Sequence, residues 1–205
     1  MMNCRTPDRL IYLSGETIMT DNNRTKLTTQ HLTQGAIIAG LYVVLSLLTY
    51  QFSYLEIQCR VAEALCMTIF FTPAGAWGVC VGCFITNLFG GSWIDTVFGT
   101  LATVIAVLLT LPITKSLKRK YGNSLSILHS LLIPIPTVLV NALVIPFVLY
   151  YGYGIVSMGS ATARLSVLAL MAFSVGAGEI ISCYVFGPII VKVMGIVGKR
   201  RDTVS

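Results

Sequence analysis

The stretch IDTVFGTLATVIAVLLTLPIT, Ile94 to Thr114, decides the fold. Its one charge is Asp95, at the second position, and the next is Lys115 just beyond its end. A helix rises about 1.5 Å per residue, so a run of this length spans the hydrocarbon core of a bilayer, about 30 Å. Working outward, similar apolar runs cover Leu32 to Tyr50, Arg60 to Phe71, Ala74 to Leu88, the stretch entered through Pro134 and Pro136 and ending near Tyr151, and Leu165 to Val193. Arg60 to Phe71 is short for a crossing and stops at Pro73. Across the whole chain 55 % of residues are hydrophobic and 11 % charged, with mean hydropathy +0.81, where soluble domains carry roughly a quarter charged residues. A soluble fold with this balance could not cover its surface. The runs are too long and continuous for the alternating strands, about ten residues each, of a membrane barrel. The expected fold is an all-α integral membrane protein with six transmembrane helices.

Six crossings put both termini on one side, and the basic residues choose the side. The loop with Lys115, Lys118, Arg119 and Lys120 and the tail with Lys199, Arg200 and Arg201 carry most of the positive charge outside the N-terminal segment. Both termini and this loop are therefore expected to be cytoplasmic. The net charge of +6 describes these tails and this loop, and it implies a membrane face rather than a nucleic-acid partner. Residues 1–30 read as a polar, disordered extension without a signal-peptide apolar region. Met19 starts a more usual short leader than Met1. Residues 31–198 read as the transmembrane domain and 199–205 as a basic tail. Leu125 to Ile133 is expected to lie on the membrane surface or to lead into the fifth span.

Ionisable groups inside spans are costly and are functional candidates by default. Glu63, Asp95 and Glu179 fall at the outer ends or interior of three spans, and Asn87 and Asn141 add amides from two more. Together they describe a cavity opening outward. Each also has a plainer reading. Arg60 and Glu63, three apart, fit a local ion pair. Asp95 fits a helix N-terminal cap. Asn87 and Asn141 fit interhelical hydrogen bonding. Glu179 has only Gly176, Ala177 and Gly178 before it and no basic residue within a turn, so a ligand or proton role fits it best. Tyr50, Phe52, Tyr54 and Trp93 fit an interfacial aromatic belt, with stacking on a flat ligand as the alternative. Gly35, Ala36, Ala39 and Gly40 place small residues four apart twice, a pattern for close helix approach in lipid.

Enzyme chemistry finds little support. The chain has no Gly-x4-Gly-Lys-Ser/Thr loop, so it binds no ATP by that device. His31 and His129 are the only histidines. They form no His-Glu-x2-His pair, and no Ser-His-Asp arrangement can be assembled. Cys80 and Cys83, one turn apart, read as small packing residues rather than metal ligands. No cofactor or metal is expected.

Several segments resemble one family, QueT. They are Ala36-Ile-Ile-Ala-Gly-Leu-Tyr-Val-Val-Leu45, Ile57-Gln-Cys-Arg-Val-Ala-Glu-Ala-Leu65, Gly82-Cys-Phe-Ile-Thr-Asn87, Asp95-Thr-Val-Phe-Gly-Thr-Leu-Ala-Thr103, Asn141-Ala-Leu143 and Gly178-Glu179. The resemblance runs in order from about Gln34 to Met194. It implies the substrate-binding S component of an energy-coupling factor (ECF) transporter, a six-helix bundle in a prokaryotic cell membrane. Such a component works with a transmembrane coupling protein and two cytoplasmic ATPases. The implied ligands are queuosine precursors, the 7-deazaguanines preQ0 and preQ1. The implied docking face toward the coupling protein is Gly35, Ala36, Ala39 and Gly40.

A guanine-like edge offers two adjacent N–H donors and a carbonyl acceptor. A carboxylate accepts the donors in a fork, and an amide or guanidinium serves the carbonyl. Glu63, Asp95 and Glu179 are thus expected as acceptors, with Arg60, Asn87, Asn141 and Gln58 orienting the ligand. A stand-alone, proton-coupled transporter of a nucleobase-like or vitamin substrate, with Glu179 as proton carrier, is the alternative. An intramembrane enzyme is the more distant one.

Overall fold

The computed structural model describes residues 29–49, 60–90, 93–122, 125–152 and 161–204. Side chains in the last stretch are described for 164–196. Every regular element among these residues is helical. Helix α1 is Thr29–Leu48. Helix α2, Val61–Phe71, is a tight 3-10 coil over Val61–Met67 that relaxes to α geometry at Thr68–Phe71. Helix α3 is Ala74–Phe89. Helix α4, Asp95–Tyr121, opens with a π turn, Asp95–Gly99. A short α5, Ile127–Ser130, precedes α6, Ile135–Phe147, which ends in a π turn, Val148–Gly152. Helix α7, Ala161–Ile181, continues through a third π turn, Ser182–Phe186, into α8, Gly187–Val204.

Four helical stretches are long and apolar enough to cross a membrane: Thr29–Leu48, Asp95–Tyr121, Ile127–Gly152 and Arg164–Ile196. Helices α2 and α3 are apolar but shorter. Trp93 is 73 % exposed and Phe173 76 %, and large apolar side chains cover every long helix in the same way. Such a surface is untenable in water and natural in lipid. Hydroxyls in these helices close on the carbonyl one turn back: Thr86 on Gly82, Thr110 on Ala106 and Ser182 on Gly178, each at 2.8 Å. Against lipid or a neighbouring helix, few other acceptors are within reach.

The basic segment departs from its expected loop form. Helix α4 continues past Thr114 to Tyr121, so Lys118, Arg119 and Lys120 sit in its last turn, where cations suit the helix dipole. Gly122, at φ +63°, then ends it with a left-handed residue that glycine adopts freely. Leu125 to Ile133 becomes α5 and its turns, with Leu128 out and Ile133 buried. Pro134 and Pro136 flank the start of α6 as expected. The stretches with Tyr50, Phe52 and Tyr54, and the residues 1–28, lie outside the described residues.

The closest helix pairing is α1 against α3. Gly35, Ala39 and Tyr42 form one face of α1, and Gly78 and Gly82 the opposing face of α3. A Cβ on Gly78 would lie 2.8 Å from the Gly35 carbonyl oxygen. One on Gly82 would lie 2.6 Å from Tyr42 Cβ and 3.0 Å from the Ala39 carbonyl oxygen. Trp77 lies against Gly35 itself. The small-residue stripe therefore splits. Gly35 and Ala39 are buried inside the bundle, whereas Ala36 and Gly40 face outward, with nothing within 4 Å of a Cβ on Gly40. Helix α2 runs antiparallel beside α1, tied by Thr72 donating to Gln34 Oε1 at 2.8 Å and by Tyr42 donating to Glu63. Its other neighbours are α3, α4, the Ser182–Phe186 turn and α8.

Overpacking a tight seam costs about 1–3 kcal/mol. Gly82→Leu should therefore lower the thermal unfolding midpoint of the purified protein, and Gly40→Leu should leave it unchanged. Equal midpoints for the two variants would refute this account of the α1–α3 seam.

Candidate functional site

Carboxylates enclosed among helices depend on protein partners, and those partners define the site. Glu63 sits in the first turn of α2 and is 1 % exposed; Glu179 sits near the end of α7 and is 2 % exposed. The phenol of Tyr42, wholly buried on α1, donates to Glu63 Oε1. Asn141 Nδ2 on α6 donates to Glu179 Oε1 at 2.9 Å. The second oxygen of each carboxylate, Glu63 Oε2 and Glu179 Oε2, is buried without a hydrogen-bond partner. Buried acceptors are rarely left this way.

Arg60, just ahead of α2, supplies the positive charge. Its Nη2 donates to Asn87 Oδ1 on α3 at 2.8 Å. Asn87 Nδ2 in turn lies 3.4 Å from Cys83 Sγ and 3.5 Å from Thr100 Oγ1. Thr103 Oγ1 on α4 also reaches Cys83 Sγ, at 3.1 Å. Gly99 gives Asn87 its room, because a Cβ there would lie 3.0 Å from Asn87 Nδ2. Arg60 stands within electrostatic range of both Glu63 and Glu179, and the two carboxylates within range of each other. The 3-10 coil of α2 packs on the Ser182–Phe186 turn, which begins three residues after Glu179.

The expected residues fall into groups. Glu63, Glu179, Arg60, Asn87 and Asn141 come together from separate segments. Arg60 turns to Asn87 rather than pairing with Glu63 as its local ion partner. Asn141 does bridge helices, and the group it bridges to is the unexplained carboxylate. Asp95, half-buried in the π turn of α4, has an interaction of its own and is not among the main electrostatic partners of Arg60 or Glu179. Gln58 lies outside the described residues.

Sequence does not single out Tyr42 or Thr103, and it reads Cys83 only as a small packing residue. Tyr42 had a signal: a phenol within an aliphatic span needs a partner, and it lies one turn beyond Ala39 on the buried face. Cys83 and Thr103 had none, since thiols and hydroxyls are common packing residues in such helices. Among the described residues, Cys66, Cys80, Cys83 and Cys183 are free thiols.

The fold and site define a multi-pass helical membrane protein whose ionisable groups are gathered inside the bundle, the arrangement expected of a membrane transporter. The chain belongs to the QueT transporter family, whose model matches residues 32–195. It is also similar to the queuosine precursor transporter QueT of Lactococcus lactis subsp. cremoris (strain MG1363). The two are 35 % identical over 88 residues, 42 % of this chain and 52 % of that protein. The chain thus spans about half the length of that curated relative. No solved structure matches it.

Removing a buried donor leaves its acceptor unmet, at about 1–3 kcal/mol. Tyr42→Phe should therefore lower the unfolding midpoint while leaving the side-chain volume nearly unchanged, and Asn141→Leu should do the same from the α6 side. A Tyr42→Phe midpoint equal to that of the natural protein would mean that the phenol does not serve Glu63.

Proposed function

We propose that this protein is the substrate-capture subunit of an ECF-type importer and takes a queuosine precursor, a 7-deazaguanine, from outside the cell. One observation carries the reading: two buried carboxylates on separate helices, each with one oxygen served by the chain and the other unserved. A ligand with paired N–H donors is the natural complement of such an oxygen, and each charge-assisted hydrogen bond contributes roughly 1.5–3 kcal/mol in a dry pocket. Family membership supplies the transport role, and the relative's printed substrate supplies the ligand class. In this reading Glu63 and Glu179 accept from the ligand, while Arg60, Asn87 and Asn141 orient it. Asp95 is a further acceptor in this reading, and Gln58 a further orienting group.

The bundle then has six crossings, with α2 and α3 as the two short ones, and α7 and α8 together as the last. Both termini are cytoplasmic, on the side of Lys118 to Lys120, in a prokaryotic cell membrane. ATP hydrolysis belongs to two partner ATPases, reached through a transmembrane coupling protein. Of the small-residue stripe, Ala36 and Gly40 serve as the docking face, because Gly35 and Ala39 are already covered by α3.

The purified protein should bind 7-deazaguanines without ATP. Glu179→Gln and Glu63→Gln should each weaken binding at least roughly tenfold, the loss of one charge-assisted contact. Calorimetry measures both, and natural affinity in both variants would end the site assignment. Gly40→Trp should abolish co-purification with the coupling protein and spare ligand binding; a complex that forms normally would remove Gly40 from the docking face. A second reading rests on the same unserved oxygen of Glu179, which also suits a proton carrier. Uptake that persists without any ATPase and collapses with the proton gradient would select it.

A further inference from the structure

Helix α4 carries one exposed stripe along most of its length. Leu101, Ile105, Leu108, Pro112, Lys115 and Arg119 follow one another at alternating steps of four and three residues, and each is exposed. Residues so spaced share one face of a helix. The buried side carries Ala102, Ala106, Thr110, Thr114 and Leu117 instead. The stripe is apolar from Leu101 to Pro112 and cationic beyond. Its apolar part is about 16 Å long at about 1.5 Å per residue. That is the depth of one leaflet, half of a hydrocarbon core about 30 Å thick.

The cations at its end lack a counter-charge. Lys115 and Arg119 stand four apart, a spacing at which like charges destabilise a helix. The helix dipole favours cations in the last turn, which covers Lys118, Arg119 and Lys120 and leaves out Lys115. Lys118 reaches the Phe70 carbonyl at 3.5 Å, and Lys120 Nζ lies 5.3 Å from the centre of the Tyr121 ring. Both partners are neutral, so they direct a side chain without cancelling its charge. Among the described carboxylates, Glu63 and Glu179 are enclosed in the bundle. Asp95 opens the opposite end of α4, about 30 Å from Lys115 along the helix. Neither end of the chain brings surplus negative charge. Residues 1–28 hold Asp8, Glu16 and Asp21 against Arg5, Arg9, Arg24 and Lys26, and the other end holds Asp202 against Lys199, Arg200 and Arg201.

We propose that one anionic phospholipid docks lengthwise on this stripe, with its phosphate between Lys115 and Arg119 and an acyl chain along Leu108, Ile105 and Leu101. The guanidinium of Arg119 offers a fork that matches phosphate oxygens, and Lys115 adds a point charge. An anion between them also relieves their mutual repulsion. Cations at a membrane surface attract anionic lipid in general, and the apolar ridge below these two adds a place for the chain. A free phosphate would meet the cations and leave the ridge uncovered. A zwitterionic lipid would cover the ridge and set its own ammonium beside the cations. The stripe is on the outside of α4, apart from Glu63 and Glu179, so the proposal is independent of the capture reading.

The test titrates the full chain in detergent micelles with phosphatidylglycerol, with phosphatidylcholine of the same acyl chains, and with glycerol 3-phosphate. Native mass spectrometry counts the bound molecules. Phosphatidylglycerol should bind at least roughly tenfold more tightly than phosphatidylcholine, the effect of one charge-assisted contact. Joint replacement Lys115→Gln and Arg119→Gln should remove that preference. Joint replacement Lys199→Gln, Arg200→Gln and Arg201→Gln takes away one charge more and should keep it. Equal affinity for the two lipids, or an undiminished preference in the first variant, would overturn the proposal. An equal loss in the second variant would also overturn it, by showing diffuse attraction to the whole basic end. Displacement of the lipid by an equal concentration of glycerol 3-phosphate would make this a site for a free anion and overturn it too. A second measurement needs no variant. Phosphatidylglycerol should raise the unfolding midpoint of the natural protein above that in phosphatidylcholine, and the difference should vanish in about 1 M salt, where charges are screened beyond about 3 Å. A difference that salt leaves unchanged would rule out the charged contact.

Discussion

The structure depends on the cost of an ionisable carboxylate in a bundle surrounded by lipid. Glu63 and Glu179 are almost wholly enclosed, and a buried charge without partners costs several kcal/mol. The chain answers with a phenol from α1, an amide from α6 and a guanidinium ahead of α2. None is close in sequence to the group it serves, apart from Arg60 near Glu63. The long-range architecture is thus the means by which two acids are held in place, each with one oxygen served and one left over.

The glycine seam follows from that requirement. Tyr42 reaches Glu63 only if α1 lies close to α2 and α3, and Gly78 and Gly82 let α3 approach to backbone contact. The same economy of side chain recurs at Gly99, which makes room for Asn87, and at Gly187, where a Cβ would lie 2.6 Å from Met67 Cε. Close approach brings dispersion contacts where the hydrophobic effect offers no driving force between helices. Lost geometry at one glycine therefore reaches the carboxylates.

Three of the four irregular turns lie near the site. The 3-10 coil of α2 carries Glu63, the π turn Asp95–Gly99 lies beside Asn87, and the π turn Ser182–Phe186 begins just after Glu179. A tighter or wider coil rotates the following residues relative to an ideal helix and re-aims their side chains. Nothing in the apolar pattern announces these departures. A 3-10 coil, an α-helix and a π turn draw on the same aliphatic residues, and the choice between them is made by what packs alongside.

Sequence by itself determined that the chain is helical and belongs in a membrane, because apolar runs such as Ile94 to Thr114 allow no other solvent. It also marked Glu63, Glu179, Arg60, Asn87 and Asn141, since polar groups in such runs must have a reason to be there. Tertiary structure decided who meets whom. It gave Arg60 to Asn87 rather than to Glu63, and brought Tyr42 and Cys83 into the polar network. It covered Gly35 and Ala39 while leaving Ala36 and Gly40 bare. Burial cost is a property of each residue and can be read one position at a time; pairing and facing are properties of two helices and exist only once they have packed.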